Sequence, residues 1–65
     1  MVKINKALIK QLRKEQGLTQ GELADKVGIT QSAINKFERG FAEPSLQTLG
    51  RIAKVLGTDA KSLLK

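Results

Sequence analysis

A group of polar side chains recurs at helical spacing between residues 31 and 39. Its members are Gln31, Ser32, Asn35, Lys36 and Arg39. At about 100° per residue they fall within one half of a helix, and this half contains no acidic or bulky apolar residue. Gln, Asn and Ser can hydrogen-bond to base edges, whereas Lys and Arg favour guanine or phosphate. The pattern is typical of a helix that binds nucleic acid, although an ordinary solvated helix face can have the same composition.

The residues that precede this helix predict how it is held. Only residues 28–30 separate a predicted helix over 20–27 from the helix over 31–39, and two helices joined by so short a turn must cross at a steep angle. Ala24 supplies the small side chain that the crossing needs, and Gly28 adopts a positive φ without strain. Apolar residues for the inner faces are Leu23, Val27, Ile29, Ile34 and Phe37. This spacing predicts a helix-turn-helix.

The rest of the chain also favours helices, because no segment alternates with the period of a strand. Three further segments are predicted from apolar spacing and from the glycines that end them: residues 5–16, residues 46–56 and a last short turn over 59–64. Thr19 and Glu22 match a capping box before residue 20, and Thr30 and Ser45 are the expected N-caps of the following helices. We therefore expect an all-α fold.

Composition limits the classes of protein that remain. The 65 residues allow one domain over 1–65, and 12 Lys and Arg against 6 Asp and Glu give a net charge of +6, which favours a polyanion partner. Because Cys and His are absent, we expect no metal site, no cofactor and no enzymatic activity. No apolar run reaches the roughly 18 residues of a membrane span. Since Lys3 and Asn5 interrupt any secretory signal, we expect a cytoplasmic protein.

The segment QGELADKVGITQSAINKFER, residues 20–39, resembles the helix-turn-helix of lambda-type phage repressors and Cro, a family often called XRE. The signature positions of the motif are occupied by Ala24, Gly28 and Ile34, and the similarity extends from about Ile9 to Leu64. The resemblance implies a five-helix DNA-binding domain of bacterial or phage origin, associated with the nucleoid. It also implies a transcriptional repressor or autoregulator that binds a palindromic double-stranded operator as a homodimer, with residues 31–39 in the major groove.

The resemblance assigns base contacts to three neutral residues. Gln31 and Ser32 match the Gln-Ser pair that begins the recognition helix of lambda repressor. This match implies that Gln31 contacts an adenine and Ser32 a neighbouring base. Asn35 lies one turn further along, at a position where family members often contact a base.

Phosphate contacts are expected for five residues: Gln20, Thr30, Lys36, Arg39 and Lys10. For Lys36 and Arg39, a contact at the outer edge of the site is the alternative. Gln20 matches a family glutamine that also braces the recognition helix, and the N-terminus of its own helix suits a phosphate. Thr30 is equally well explained as an N-cap alone. Lys10 belongs to a row of lysines on the first helix that is also explained as an ordinary solvated face.

Glu38 falls on the inner half of its helix, where a carboxylate needs a partner. Family members often pair such a Glu with an Arg of the first helix, and the matching residues here are Arg13 and Glu38. We expect a structural ion pair and no role as a catalytic acid.

The same resemblance leaves the mode of dimerisation open. Because only three residues precede Ile4, we expect no long basic N-terminal arm, and we expect no C-terminal oligomerisation domain. We therefore expect any dimer to use the small domain itself and to be weak or induced by DNA. Phe41 either packs locally or joins the dimer contact, and we expect one of Leu63 and Leu64 to close the core while the other faces a partner.

Two other classes of function share features with this sequence. A protein-interaction module, such as an antitoxin or an adaptor with the same fold, is the alternative that remains. Peripheral membrane binding through the basic first helix is disfavoured, because the apolar face of that helix is needed for the core. No small-molecule substrate is indicated.

Overall fold

Four α-helices follow one another along the chain in the computed structural model, which describes residues 3–65. They are α1 (Lys6–Glu15), α2 (Gln20–Val27), α3 (Gln31–Arg39) and α4 (Leu46–Leu56). The predicted bounds of the last three helices are confirmed, and α1 is one residue shorter at each end than expected. Residues 1–2, on which part of the predicted single domain and the expected lack of a secretory signal fall, lie outside the described range.

The expectation of five helices is wrong. Among residues 3–65 the four α-helices are followed by a single 3-10 turn, Lys61–Leu63, in place of a fifth helix. The chain is diverted from helical bonding there, because the Asn5 amide donates to the Leu63 carbonyl at 2.8 Å and Leu64 pairs with Ile4 in an isolated antiparallel bridge. An extended end cannot continue a helix, so the 3-10 turn stays three residues long.

Local capping explains where the helices begin. The Thr19 hydroxyl accepts from the Glu22 amide at 3.0 Å, and the Glu22 carboxylate accepts from the Thr19 amide at 2.9 Å, so the predicted capping box is confirmed. Thr30 caps α3 by accepting from the Ala33 amide at 3.1 Å. Ser45 caps α4, also as predicted.

One apolar cluster holds the helices together. Its buried members are Ile4, Ile9, Leu23, Ala24, Val27, Ile34, Phe37, Leu49, Ile52, Ala53, Leu56 and Leu63. They come from every helix and from both ends of the described chain, so the core fixes how α2 and α3 sit relative to α1. None of the helices among residues 3–65 is long and apolar enough to span a membrane.

Candidate nucleic-acid interface

The turn between α2 and α3 brings the two helices against each other, and Ala24 of α2 is buried. Gly28 ends α2 with a φ of +86°, a conformation that glycine adopts without the strain a side chain would meet. The Gly28 and Ile29 amides both donate to the Ala24 carbonyl, at 2.8 and 3.0 Å. These bonds end α2 abruptly, so that only three residues separate α2 from α3.

The outer face of α3 is polar and open to solvent. Gln31, Ser32, Lys36 and Arg39 are exposed, and Asn35 is half-buried. The single acidic residue of α3, Glu38, is buried on the opposite side. An approaching polyanion therefore meets amides, a hydroxyl and two cations on this helix, and no carboxylate.

Glu38 forms the predicted ion pair with Arg13 of α1. The Arg13 Nε and Nη2 atoms donate to the two Glu38 carboxylate oxygens at 2.7 and 3.0 Å, which is the bidentate geometry favoured by guanidinium and carboxylate. A third donor of Arg13, Nη1, bonds to the Leu18 carbonyl at 2.8 Å. The pair thus ties α1, the α1–α2 connection and α3 together.

The environment of Glu38 keeps its carboxyl group ionised. Burial alone would raise the pKa of Glu38, but hydrogen bonds from Arg13 and Gln20 and the charges of Arg13 and Lys10 together lower it below the ordinary value. The charge of Lys10 therefore acts on the same carboxylate from α1. Its contact with phosphate stays a prediction.

Gln20, the first residue of α2, connects the ion pair to the outer face of α3. Its Nε2 atom donates to Glu38 Oε1 at 3.2 Å, and its Oε1 atom accepts from Asn35 Nδ2 at 3.3 Å. The expected bracing of α3 by Gln20 is thus present as hydrogen bonds. The contact of Gln20 with phosphate stays a prediction.

Gln31 lies against the start of α2, a contact that the sequence did not indicate. A Cβ atom added to Gly21 would be 3.3 Å from Gln31 Oε1, which is tighter than ordinary van der Waals contact. A side chain at position 21 would therefore require Gln31 to shift by a few tenths of an ångström. A glycine inside a short predicted helix, one turn before the crossing, was the available signal.

Arg39 and Phe41 form a pair at the end of α3. The Arg39 guanidinium carbon lies 4.6 Å from the centre of the Phe41 ring, although the ring is 69% exposed. Cation–π contact at such an exposed site is worth about 0.5–1 kcal/mol. Phe41 thus packs locally on Arg39, and Lys36 and Arg39 remain predicted phosphate contacts.

One of the two C-terminal leucines closes the core, as expected, and a partner contact for the other stays a prediction. Leu63 is fully buried in the core, and Leu64 is partly exposed. Leu46, at the start of α4, is a further exposed apolar side chain. Across residues 3–65, no three acidic side chains converge in a way that could hold a metal ion.

Sequence comparison finds relatives along most of the chain. Residues 9–63 match the helix-turn-helix family. An uncharacterized HTH-type transcriptional regulator of Methanothermobacter thermautotrophicus is 48% identical over 54 residues, which cover 83% of this chain and 78% of that protein. The HTH-type transcriptional regulator SinR of Bacillus subtilis is 40% identical over 57 residues, which cover 86% of this chain but only 51% of SinR.

Solved structures share the fold. The crystal structure of SinR in complex with DNA matches with a TM-score of 0.86 at 38% identity, over 92% of this chain and 97% of that chain. The P22 c2 repressor in complex with a synthetic operator matches with a TM-score of 0.89 at 32% identity, over 92% and 91%. SinR has also been solved in complex with the SinI protein.

The fold also occurs inside a larger chain. In hydroxypropylphosphonic acid epoxidase from S. wedmorenis the matching region covers 92% of this chain but 32% of the epoxidase, with a TM-score of 0.82 at 34% identity. The fold by itself therefore does not separate a regulator from the helix-turn-helix part of an enzyme.

Proposed function

The chain belongs to the helix-turn-helix family and is a DNA-binding regulator; from that premise we propose that it is a homodimeric repressor of transcription at a palindromic operator. One observation carries the proposal. The outer face of α3 offers three neutral hydrogen-bonding side chains and two cations to a polyanion, while the only carboxylate of that helix is buried against Arg13.

The proposed docking places α3 in the major groove of double-stranded DNA. Gln31, Ser32 and Asn35 contact base edges, because amide and hydroxyl groups match the donors and acceptors that each base pair presents there. Phosphates are held on either side by a second set of residues: Gln20, Thr30, Lys36, Arg39 and Lys10. The division between the two sets predicts which substitutions change specificity and which change affinity for all sequences alike.

Two copies are proposed to bind the two halves of the operator. Family geometry spaces half-sites by one helical turn, about 34 Å, whereas the described chain measures 24 × 21 × 19 Å. Because that spacing exceeds the longest extent of the described chain, two copies so placed share little surface, which supports a dimer that is weak without DNA. Occupation of the operator excludes RNA polymerase, and no catalytic step is proposed.

A protein-interaction module remains the second candidate. The observation that favours it is the exposure of two large apolar side chains, Phe41 at 69% and Leu46 at 59%. The complex of the relative SinR with SinI gives this alternative a precedent. A protein ligand at Phe41 would also meet Arg39, a proposed phosphate contact. A domain that serves only such a ligand selects no duplex, so specific binding to DNA distinguishes the two proposals.

Selection of bound duplexes from a random pool tests the DNA proposal most directly. We expect a palindrome whose half-sites are about one helical turn apart, bound with an affinity that falls steeply as salt increases. A variant with Gln31, Ser32 and Asn35 all changed to Ala is the control, because it keeps the charge of the wild type. We expect the control to retain weak binding and to select no consensus.

Failure of the wild type to enrich any sequence at low salt would contradict the proposal. Enrichment of a single half-site without a palindrome would contradict the dimer while leaving DNA binding intact.

A further inference from the structure

A chain of hydrogen bonds runs from the buried ion pair to the base-facing side of α3. Arg13 donates to Glu38, Gln20 Nε2 donates to Glu38 Oε1 at 3.2 Å, and Asn35 Nδ2 donates to Gln20 Oε1 at 3.3 Å. Every donor in this chain points toward the buried carboxylate. The direction of the hydrogen bond between Asn35 and Gln20 therefore depends on the carboxylate of Glu38.

The carboxylate of Glu38 permits only one orientation of the Gln20 amide. An ionised carboxylate accepts hydrogen bonds and donates none, so the NH₂ end of Gln20 must face it. Rotating the amide by half a turn would bring two acceptor oxygens together beside a buried charge, which is costly where water does not screen it. Gln20 consequently turns its own oxygen toward α3.

The same reasoning passes to Asn35. Because Gln20 offers an acceptor, Asn35 must turn Nδ2 toward Gln20. The Oδ1 atom of Asn35 then points away from Gln20. Among residues 3–65 no buried side-chain nitrogen or oxygen lacks a partner, and no described residue bonds to this Oδ1. Because Asn35 is only half-buried, its oxygen reaches solvent on the outer face.

We infer that Glu38, acting through Gln20, holds Asn35 with its oxygen toward the DNA, so that Asn35 selects a base with an exocyclic amine. This inference rests on the proposed function. In the major groove, adenine and cytosine present an amino donor, whereas guanine and thymine present only acceptors on the corresponding edge. Adenine fits best, since the second hydrogen of Nδ2 is free for N7 while Oδ1 accepts from N6.

Gln20 is thus a positioning residue for specificity, in addition to its predicted contact with phosphate. The two roles separate experimentally. Loss of a phosphate contact lowers affinity for all sequences by the same factor, whereas release of Asn35 lowers the ratio of affinities between bases at one position.

The test begins by finding the base pair that Asn35 contacts. Selection with wild type and with Asn35→Ala identifies the position at which the preference disappears. Because every base pair carries one exocyclic amine in the major groove, the preferred pair is also tested with that amine removed, by purine in place of adenine or 2-pyrimidinone in place of cytosine. We expect the wild type to bind the duplex without the amine roughly tenfold or more weakly. Affinities are then measured on four duplexes that differ only at this base pair.

Gln20→Met is the decisive variant, because it keeps the length of the side chain and removes both polar ends. We expect its discrimination at the Asn35 position to fall to within about threefold, while discrimination at the Gln31 position stays at the wild-type value. Gln47→Met, on the exposed surface of α4, is the matched control and should keep the full preference. Circular dichroism checks that each variant is folded.

The outcomes distinguish this inference from the proposed function. If the wild type binds no DNA specifically, the proposed function itself fails. If it binds specifically but binds equally well after the exocyclic amine of the pair at the Asn35 position is removed, the inferred orientation is wrong. If Gln20→Met lowers affinity evenly and keeps the preference for an amine-bearing base, Gln20 only holds phosphate and the inferred chain from Glu38 is overturned.

Discussion

The two sides of α3 differ in how their polar groups are held. On the inner side, Glu38 is buried and bound by Arg13 in bidentate geometry. On the outer side, Gln31, Ser32 and Lys36 are exposed. Polar groups on the inner side act on stability, because an unpaired buried charge is costly. Those on the outer side remain available for a ligand.

The largest effect is expected from breaking the inner side. Glu38→Ala leaves the Arg13 guanidinium buried without its counter-ion, so we expect a loss of roughly 3–5 kcal/mol of stability. A domain of this length has only about 3–10 kcal/mol in total. Urea unfolding followed by circular dichroism measures the loss.

The paired substitution Arg13→Met with Glu38→Leu is the control. It removes both charges and fills the space, so we expect most of the stability to return. Base discrimination at the Asn35 position should stay low, because Gln20 has lost its anchor. A double variant as unstable as Glu38→Ala would mean that packing, and not the unpaired charge, causes the loss.

Acid acts on the same pair more gently than substitution. The pKa of Glu38 is lower in the folded protein than in the unfolded chain. The ionised carboxylate therefore stabilises the fold fully at a pH above the pKa of the unfolded chain, and this stabilisation is lost as the pH falls through the pKa of the folded protein. We therefore expect stability to decline below about pH 4. Hydrogen bonds from the Thr19 and Ser62 amides also lower the pKa of Glu22 and Asp59, so some decline should persist without Glu38.

Urea unfolding at several pH values separates these contributions. The double variant that lacks Arg13 and Glu38 should lose less stability on acidification than the wild type. Equal losses in the two proteins would show that Glu38 contributes nothing to the pH dependence.

Substitution on the outer side should change binding and leave stability within about 0.5 kcal/mol. Gln31→Ala is expected to cost roughly 1–3 kcal/mol at one base position and to relax specificity there. Lys36→Ala should weaken all sequences alike and reduce the salt slope by about one. Fluorescence anisotropy over a salt series measures both quantities, and a uniform loss from both variants would contradict the division between base and phosphate contacts.

The smallest effect is expected at the border between the two sides. Gly21→Ala presses on Gln31 Oε1, whereas Gly50→Ala meets no atom within 4 Å. Each replaces a helical glycine, so we expect Gly50→Ala to add about 0.5–1 kcal/mol of stability. Gly21→Ala should add less and should weaken discrimination only at the base that Gln31 contacts.

Thermal unfolding and binding to the selected operator measure this pair of variants. Because the Gln31 side chain is exposed and can yield, Gly21→Ala should remain folded. An unchanged base preference in Gly21→Ala would indicate that the contact between α2 and Gln31 has no role in recognition.

Helix bounds were predictable because the signals that set them are local. Thr19, Thr30 and Ser45 cap the residues that follow them directly, and Gly28 and Gly40 end helices through their own positive φ. The fifth helix was wrongly predicted because its fate depends on Asn5 and Ile4, which lie nearly 60 residues away in the chain. Local signals at residues 59–64 carry no information about that pairing.

The candidate site divides in the same way. The angular position of Gln31, Ser32 and Asn35 on a helix follows from their spacing. In the structure the three residues lie on the outer face of α3, as the spacing predicted. The pairing of Arg13 with Glu38 came from resemblance, since no spacing within one helix connects two residues of different helices. The position of Gln20 between Glu38 and Asn35 could be seen only in the folded chain.

The sequence alone therefore determined which residues form helices, where those helices begin and which face of α3 is polar. These features depend on neighbours a few residues apart, whose geometry the backbone fixes. Tertiary structure decided that residues 61–63 form a 3-10 turn and not a fifth helix. It also decided the closeness of Gln31 to Gly21 and the orientation of the Asn35 amide. Those features depend on hydrogen bonds between helices, whose direction is set by a carboxylate that accepts and cannot donate.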